Sequence, residues 1–333
     1  MRIPPFYDFT ILVLGGAYPS SVALTLDILS AAASVSASVD VVAPRWRVYS
    51  TAGNRVQLGH GLSIDAKPLP KTARADSSIW IVPGLGLESP IDIASRMKQD
   101  DALTAIMALR SHAQRGGTVA ASCSAVFLLQ AAGLLAGRRA TTSWWLAPLL
   151  QRMEKRCTVD ADRMVLEDSR VVTAGAALAQ TDLMLHLLCS KFGPALADTL
   201  SRVLLADARQ AQAPFIAPSL LASGNELTSR IVAYVEASLP ELPSLADLAA
   251  QFCVSERTFA RHVRAATGRS TQDLLQSIRL GRARVLLATS RMTVEQIAEQ
   301  VGYRDATALR RMMRKLVGAT PRQFRPTAFG AYS

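Results

Sequence analysis

The chain reads part of its own sequence twice. LADLAAQFCVSERTFARHVRAATGRST, residues 245–271, resembles VEQIAEQVGYRDATALRRMMRKLVGATP, residues 294–321. Leu245, Leu248 and Ala249 fall on Val294, Ile297 and Ala298 at an offset of 49. Phe259 and Gly268 fall on Leu309 and Gly318 at an offset of 50, so the second copy has one extra residue in its turn. A self-similarity of this period that occurs only twice is a duplicated module, not a solenoid.

Both copies share one set of mechanics. A polar residue, Ser244 or Thr293, starts a short helix, and Thr293-x-x-Gln296 has capping-box form. The small Ala249 or Ala298 sits where two helices must cross closely. After a brief turn, FCVS or VGYRD, Ser255 or Asp305 caps a second helix crowded with arginine. This is the grammar of a helix-turn-helix, whose second helix lies in the major groove of DNA. In the first copy the groove-facing candidates are Glu256, Arg257, Thr258 and Arg261, and Ser255 at the helix start is also expected to contact DNA. In the second they are Arg304, Thr307, Ala308 and Arg311, and Asp305 at the start is likewise an expected DNA contact. Arginine can fork onto guanine and glutamate can accept from cytosine. Arg264, Arg310, Arg314 and Lys315 are placed as phosphate contacts, which set position rather than sequence. A helix over about Thr271 to Ala288 joins the modules and fixes their spacing.

Charge agrees with this reading. The net charge is +11. The window from Arg257 to Arg325 holds 15 Lys and Arg against 4 Asp and Glu, which alone equals that excess. A basic field confined to one region points to a polyanion, nucleic acid before membrane. A solvated basic surface is the alternative.

The first 200 residues follow a different rhythm. FTILVLGGA (9–17), WRVYSTAG (46–53), SSIWIVPGLG (77–86), GTVAAS (117–122) and RVVTAGAA (170–177) read as strands, and VQLGHGLSI as a hairpin. Helical runs lie between and after them, at 21–33, about Asp101 to Gln114, after Ser122, Ala179 to Cys189, and 196–210. Strands alternating with helices imply a mostly parallel sheet covered on both faces. APFIAPSLLASGNE, with two prolines and small polar residues, marks a linker. The expected division is 1–212, a linker over 213–225, and a helical domain over 226–333.

None of the four cysteines, Cys123, Cys157, Cys189 and Cys253, stands in C-x-x-C spacing, so no metal site is expected. The N-terminus reads as a first strand and not a signal peptide. No apolar run approaches the roughly 18 residues of a membrane span. The expected location is the cytoplasm, with reduced thiols.

GYRDATALRRMMRKLVGATPRQFR carries Gly302, Tyr303, Gly318, Thr320, Pro321, Phe324 and Arg325 in a pattern that resembles the AraC/XylS-type DNA-binding domain. It departs at Leu309, where that family usually has an aromatic. CSAVFLLQAAGLLAGRRATTSWW (123–145) resembles the cysteine-turn region of the class I glutamine amidotransferase-like superfamily, in its PfpI-like branch. Together the two resemblances cover nearly the whole chain, in the order of GlxA-type transcriptional regulators. They imply a doubly wound, flavodoxin-like α/β domain for sensing and dimerisation, followed by an all-α domain with two helix-turn-helix modules.

Cys123 stands at a strand-to-helix turn, where many hydrolases keep their nucleophile. Such a cysteine needs a base, a group to orient it and an oxyanion site. The turn's backbone amides could supply the last. Enzymes of the resembled branch typically place His immediately after the cysteine, where this chain has Ser124. GlxA-type regulators commonly run from ATT into His-Trp, where this chain has Ser143-Trp144. His60, His112, His186 and His262 show no local pairing with Cys123. A pocket residue, a buried small hydrophobe and a redox sensor remain as readings. The expectation is no enzyme; the alternative is a PfpI-class amidase or glyoxalase-like enzyme tethered to DNA.

In doubly wound sheets, ligands sit beyond the carboxyl ends of the strands. The expected pocket comprises Gly15, Gly16, Ala17, Gly84, Leu85, Cys123, Ser124, Ser143 and Trp144. Amides at helix starts would favour an anion there, and Trp144 or Trp145 could stack on a cation. The expected partners are a double-stranded DNA operator, a small polar effector such as an amino acid or a related amine, RNA polymerase, and a second copy of the chain. No cofactor and no membrane partner is expected.

Overall fold

A computed structural model describes residues 7–70, 76–87, 89–206, 212, 226–267, 269–317 and 320–324. The chain divides into two compact units, Met1–Gln210 and Ala211–Ser333. The linker expected over 213–225 lies outside the described residues, as do Gly268, Gly318 and Arg325.

The first unit is built on β1 (Phe9–Val13), FTILV, which is buried at every position. A strand with both faces covered must be apolar throughout, and this one is. The chain continues through α1 (Pro19–Val35), β2 (Trp46–Ser50), the antiparallel pair β3 (Arg55–Gln57) and β4 (Ser63–Asp65), and the two-residue β5 (Lys67–Pro68). It then passes through β6 (Ile79–Val82), α2 (Pro90–Arg96), α3 (Asp100–Gln114), β7 (Val119–Ser122) and α4 (Val126–Ala131). β8 (Arg139–Ala140), α5 (Ala147–Met153), β9 (Thr158–Val159), β10 (Val165–Asp168), β11 (Val171–Ala174), α6 (Ala179–Phe192) and α7 (Pro194–Val203) complete it.

The main sheet has the order β10-β11-β7-β6-β1-β2-β5, and every pairing in it is parallel except β10 with β11. Counting only β1, β2, β6, β7 and β11, the order is that of a flavodoxin-like sheet. The chain leaves β1 outward through β2, then crosses back to place β6 on the other side of β1. Loops after β1 and β6 therefore part at a switch point, where such sheets bind ligands.

α1 begins on Pro19, whose fixed φ suits the first helical turn. The helical stretch Pro19–Val39 is apolar and long enough by composition to cross a membrane, which no reading of the sequence anticipated. Val22, Ile28, Leu29 and Ala32 are buried in the core of the unit, and α1 packs on α6 and α7. Such packing is that of a core helix.

Two sequence expectations need correction. The helix expected over 196–210 ends at Val203; Leu205 takes φ +50 and is 93% exposed. An antiparallel edge strand, β10, was not anticipated; VLED is short and half polar, so no apolar run announces it.

The second unit comprises α8 (Glu226–Ala237), α9 (Leu245–Gln251), α10 (Glu256–Thr267), α11 (Thr271–Thr289), α12 (Val294–Gln300), α13 (Ala306–Val317) and a 3-10 turn, Pro321–Phe324. The duplication is visible in three dimensions. Ser244 Oγ accepts from Asp247 N at 3.1 Å while the Asp247 carboxylate accepts from Ser244 N at 3.0 Å. Thr293 Oγ1 accepts from Gln296 N at 3.2 Å while Gln296 Oε1 accepts from Thr293 N at 2.8 Å. Leu248, Ala249, Phe259 and Val263 are buried in one module, and Ile297, Ala298, Leu309 and Met313 in the other. Leu309, at the position where the AraC/XylS-type domain usually has an aromatic, is fully buried in the cluster with Ile297, Val301 and Met313.

Candidate functional site

At the switch point of the first unit, the loops after β1, β6 and β7 are stitched together. Ala17 and Leu85 form an isolated antiparallel bridge. Tyr18 N donates to Gly84 O at 2.8 Å, and Gly86 N donates to Gly16 O at 3.0 Å. A Cβ added at Gly84 would stand 3.0 Å from Cys123 Cβ, 3.3 Å from Ser21 Oγ and 3.5 Å from Ser122 Oγ. The strand-end backbone can approach the cysteine turn this closely only because residue 84 is glycine.

Cys123 takes φ +53, an uncommon conformation for a residue with a side chain, and is 1% exposed. Its neighbours bear hydroxyls. Ser143 Oγ donates to Cys123 Sγ at 3.0 Å, and Thr142 Oγ1 donates to Cys123 O at 2.7 Å. Ser124 Oγ donates to Leu85 O. Ser122 Oγ is buried and has no hydrogen-bond partner among the described residues. Seven of the nine expected pocket residues lie on these loops, and Ser143 and Trp144 lie on the segment between β8 and α5, where Ser143 reaches Cys123. Gly15 is half-buried, Gly16 is exposed, and the other seven are buried.

Two expectations for this place change. The amides of Gly16, Ala17, Tyr18, Gly86 and Cys123 are committed to the carbonyls of Gln57, Leu14, Gly84, Gly16 and Gly175. Cys123 N–H, 2.7 Å from Gly175 O, is thus no ready oxyanion donor. Trp144 is 4% exposed and meets the Trp145 ring edge-on, centroids 5.2 Å apart. The two rings hold one another in a T-shaped contact, and Trp144 is buried.

Sequence reading missed the groups beside Gly15. Arg96 grips Asp101 with both terminal nitrogens at 2.7 Å and donates to Gly15 O at 3.0 Å. Burial opposes ionisation of Asp101, but the Arg96 guanidinium outweighs it and holds the carboxyl below its ordinary range. Five residues separate the partners in sequence, across the α2–α3 junction, so no single-helix spacing announces them. His60 lies on the turn Gly59–Gly61, which is held against the pocket loops where Gly59 N donates to Ala17 O at 3.0 Å.

The other histidines lie elsewhere. His112 stacks on Trp80, centroids 4.7 Å apart, and abuts Gly117. Six residues of nearly extended chain, roughly 20 Å, run from Gly117 to Cys123. His186 pairs with Glu167 at 2.6 Å, and His262 belongs to the second unit. Burial, then Glu154 and Asp168, push the Cys157 thiol up to about 11, so it stays protonated at neutral pH. Among the described residues no group of three or more His, Cys, Asp or Glu side chains could hold a metal ion.

In the second unit, α10 and α13 each turn an apolar face inward and an arginine face outward. Arg257, Arg261 and Arg264 are exposed on the first, and Thr307, Arg310, Arg311, Arg314 and Lys315 on the second. Glu256 and Arg304 are exposed, and Thr258 and Ala308 half-buried, at the same helix starts. Three expected contacts already have partners. Ser255 Oγ accepts from Thr258 N at 3.2 Å, and Asp305 Oδ1 accepts from Ala308 N at 2.7 Å, so both side chains cap their helices. Arg310 pairs with Glu295 of α12 at 3.1 Å.

The family comparisons divide the chain in the same way. The DJ-1/PfpI family matches residues 11–190, and a helix-turn-helix domain matches residues 248–327. The HTH-type transcriptional regulator ArgR of Pseudomonas aeruginosa is 26% identical over 264 residues, 76% of this chain and 80% of its own. The HTH-type transcriptional regulator GlxA of Rhizobium meliloti is 25% identical over 276 residues, 82% of each chain. A crystal structure of a Vibrio parahaemolyticus protein shares the fold at TM-score 0.51 and 18% identity, covering 60% of this chain and 100% of its own. A flavodoxin-like domain with a cysteine turn, followed by a duplicated arginine-bearing helix-turn-helix, is thus matched over about four-fifths of the length of these regulators, and the chain belongs to the DJ-1/PfpI family, in the group whose members carry an AraC-type helix-turn-helix domain and regulate transcription.

Proposed function

We propose that the first unit senses a small polar effector at the β1–β6 switch point, and that α10 and α13 read an operator. The observation that carries the sensing role is the Ser122 hydroxyl. It is buried without a partner next to Gly84 and Cys123. Leaving such a group unsatisfied costs about 1–3 kcal/mol, and a polar effector atom would remove that cost. Ser21, Ser124, Thr142 and Ser143 lie in the same place; each hydroxyl donates to a protein acceptor, which leaves its oxygen to accept from a hydrogen-bonding ligand such as an amino acid or a related amine.

The reading assigns no catalysis to Cys123. Its thiol is buried against a serine hydroxyl, and its own amide is committed to Gly175 O. Neither supplies the base that nucleophilic cysteine chemistry needs. On the DNA side, Glu256, Arg257, Thr258 and Arg261 face one groove and Arg304, Thr307, Ala308 and Arg311 the next. Arg264, Arg314 and Lys315 meet phosphates. Arg310 would do so after exchanging its exposed ion pair with Glu295, an exchange that costs little. The regulator works in the cytoplasm as a homodimer formed through the first unit, as the family resemblance implies.

A thermal-shift screen of amino acids and amines, paired with operator footprinting, tests this function. Ligand binding to the folded state alone raises Tm, and the same ligand should alter the footprint. A screen without any shift, or turnover of a ligand that Cys123→Ala abolishes, contradicts it.

A further inference from the structure

The two helix-turn-helix modules use the same turn differently. Cys253 in the first and Gly302 in the second occupy matched positions, 49 residues apart, and both have left-handed backbone, φ +55 and +76. Cys253 shows that the turn accepts a side chain, and it is exposed. Turn geometry alone therefore does not explain the glycine at 302. Its surroundings do. A Cβ at Gly302 would overlap the carbonyl oxygen of Pro240 and stand 3.2 Å from an Arg279 nitrogen. Pro240 belongs to the loop between α8 and α9, ahead of the first module, and Arg279 to the connecting helix α11. Next in sequence, Tyr303 carries the Arg279 guanidinium over its ring, 4.9 Å from the centroid. α11 itself packs on α8, α10, α12 and the turn Pro321–Phe324. The turn of the second module is thus docked, without intervening side chain, on the loop that leads into the first module and on the connector.

We propose that Gly302 is a positioning residue: its bare contact with Pro240, clamped by Arg279 on Tyr303, fixes the angle between α10 and α13 and so the spacing of half-motifs the protein accepts. The proposal rests on the reading that both helices enter DNA. Paired recognition helices demand half-sites about one helical turn apart. A one-base-pair insertion moves the second half-motif around the duplex by roughly a tenth of a turn, which a rigid joint cannot follow.

The test uses the full chain and a duplex it selects from a random library. Affinity is measured for that duplex, for the same duplex with one base pair inserted between half-motifs, and for each half-motif in scrambled flanks. The wild type should lose about tenfold or more on insertion, the loss expected when one set of base contacts is misplaced. Gly302→Ala and Arg279→Ala should shrink that ratio to about threefold or less, with half-motif affinity held within about twofold. Cys253→Ala, in the matched but undocked turn, should keep the wild-type ratio. Thermal melting identifies a variant that fails to fold, and Arg279→Ala leaves the backbone at 302 untouched. A wild type that binds the inserted duplex within about threefold overturns the proposal, as does an unchanged ratio in folded Gly302→Ala and Arg279→Ala. Failure of the recognition-helix reading looks different: only one half-motif would emerge from selection.

Discussion

Ser143 Oγ donates a hydrogen bond to Cys123 Sγ across 3.0 Å, between two buried side chains twenty residues apart. A serine hydroxyl holds the sulfur in place but is no base at neutral pH, and the proposed sensing role needs none. Cys123→Ala should therefore leave operator affinity within about twofold of wild type, and both proteins should lack amidase and glyoxalase turnover. Gel-shift titration and substrate assays with purified full-length proteins check this. A wild-type activity lost in the variant contradicts it.

Gly84 is the second point at which the pocket is committed. An added methyl would sit 3.0 Å from Cys123 Cβ, 3.3 Å from Ser21 Oγ and 3.5 Å from Ser122 Oγ. Overpacking a filled site costs typically about 1–3 kcal/mol. Gly84→Ala should lower Tm of the first unit by roughly 2–10 °C and abolish the effector-induced shift, while operator binding persists. Differential scanning fluorimetry with and without effector reads both effects.

Much of this was legible in the sequence, for identifiable reasons. β1, β6 and β7 are covered on both faces, so their apolar runs stand out, and the glycines after them mark the loops. The duplicated caps, Ser244 and Thr293, announce the modules because capping is local chemistry. What escaped was non-local or lacked periodicity. β10 is four residues with two carboxylates. Commitment of the Cys123 amide to Gly175 depends on a strand fifty residues away. The Arg96–Asp101–Gly15 clamp joins a helix junction to a distant loop. Ser255 and Asp305 are legible as caps, as Ser244 and Thr293 are, and each side chain accepts from a backbone N–H of its own helix.

His112 gives the first unit a pH signature. Its ring is buried against Trp80, and burial pushes its pKa below the ordinary value of 6.5. The unfolded chain then binds the proton more readily than the folded one, so stability is intact above about 6.5 and falls as acid is added below it. The slope approaches about 1.4 kcal/mol per pH unit until the folded-state pKa is reached. The lowered pKa of Asp101 acts in a separate window, below 3.8. Urea denaturation between pH 7.5 and 5, followed by Trp fluorescence, should show this limb in wild type and a flatter one in His112→Phe.

The two recognition helices predict separable defects. Arg311 is proposed to face the groove and Arg314, one turn further along α13, a phosphate; both are exposed. Arg311→Ala should cost about 1–3 kcal/mol and relax preference at one base pair. Arg314→Ala should weaken binding evenly across sequences and reduce the salt slope by about one. Anisotropy titrations over a panel of operator variants and salt concentrations distinguish them.

The most direct measurement is the affinity of the Arg261→Ala, Arg311→Ala double variant, full length and folded by thermal melt, for the selected operator and for unrelated duplex. Both arginines occupy matched positions in the two modules. The expected result is a fall of about a hundredfold or more for the operator, with unrelated duplex held within about tenfold, so that sequence preference collapses. Preference that survives in the double variant would show that these helices do not read the DNA.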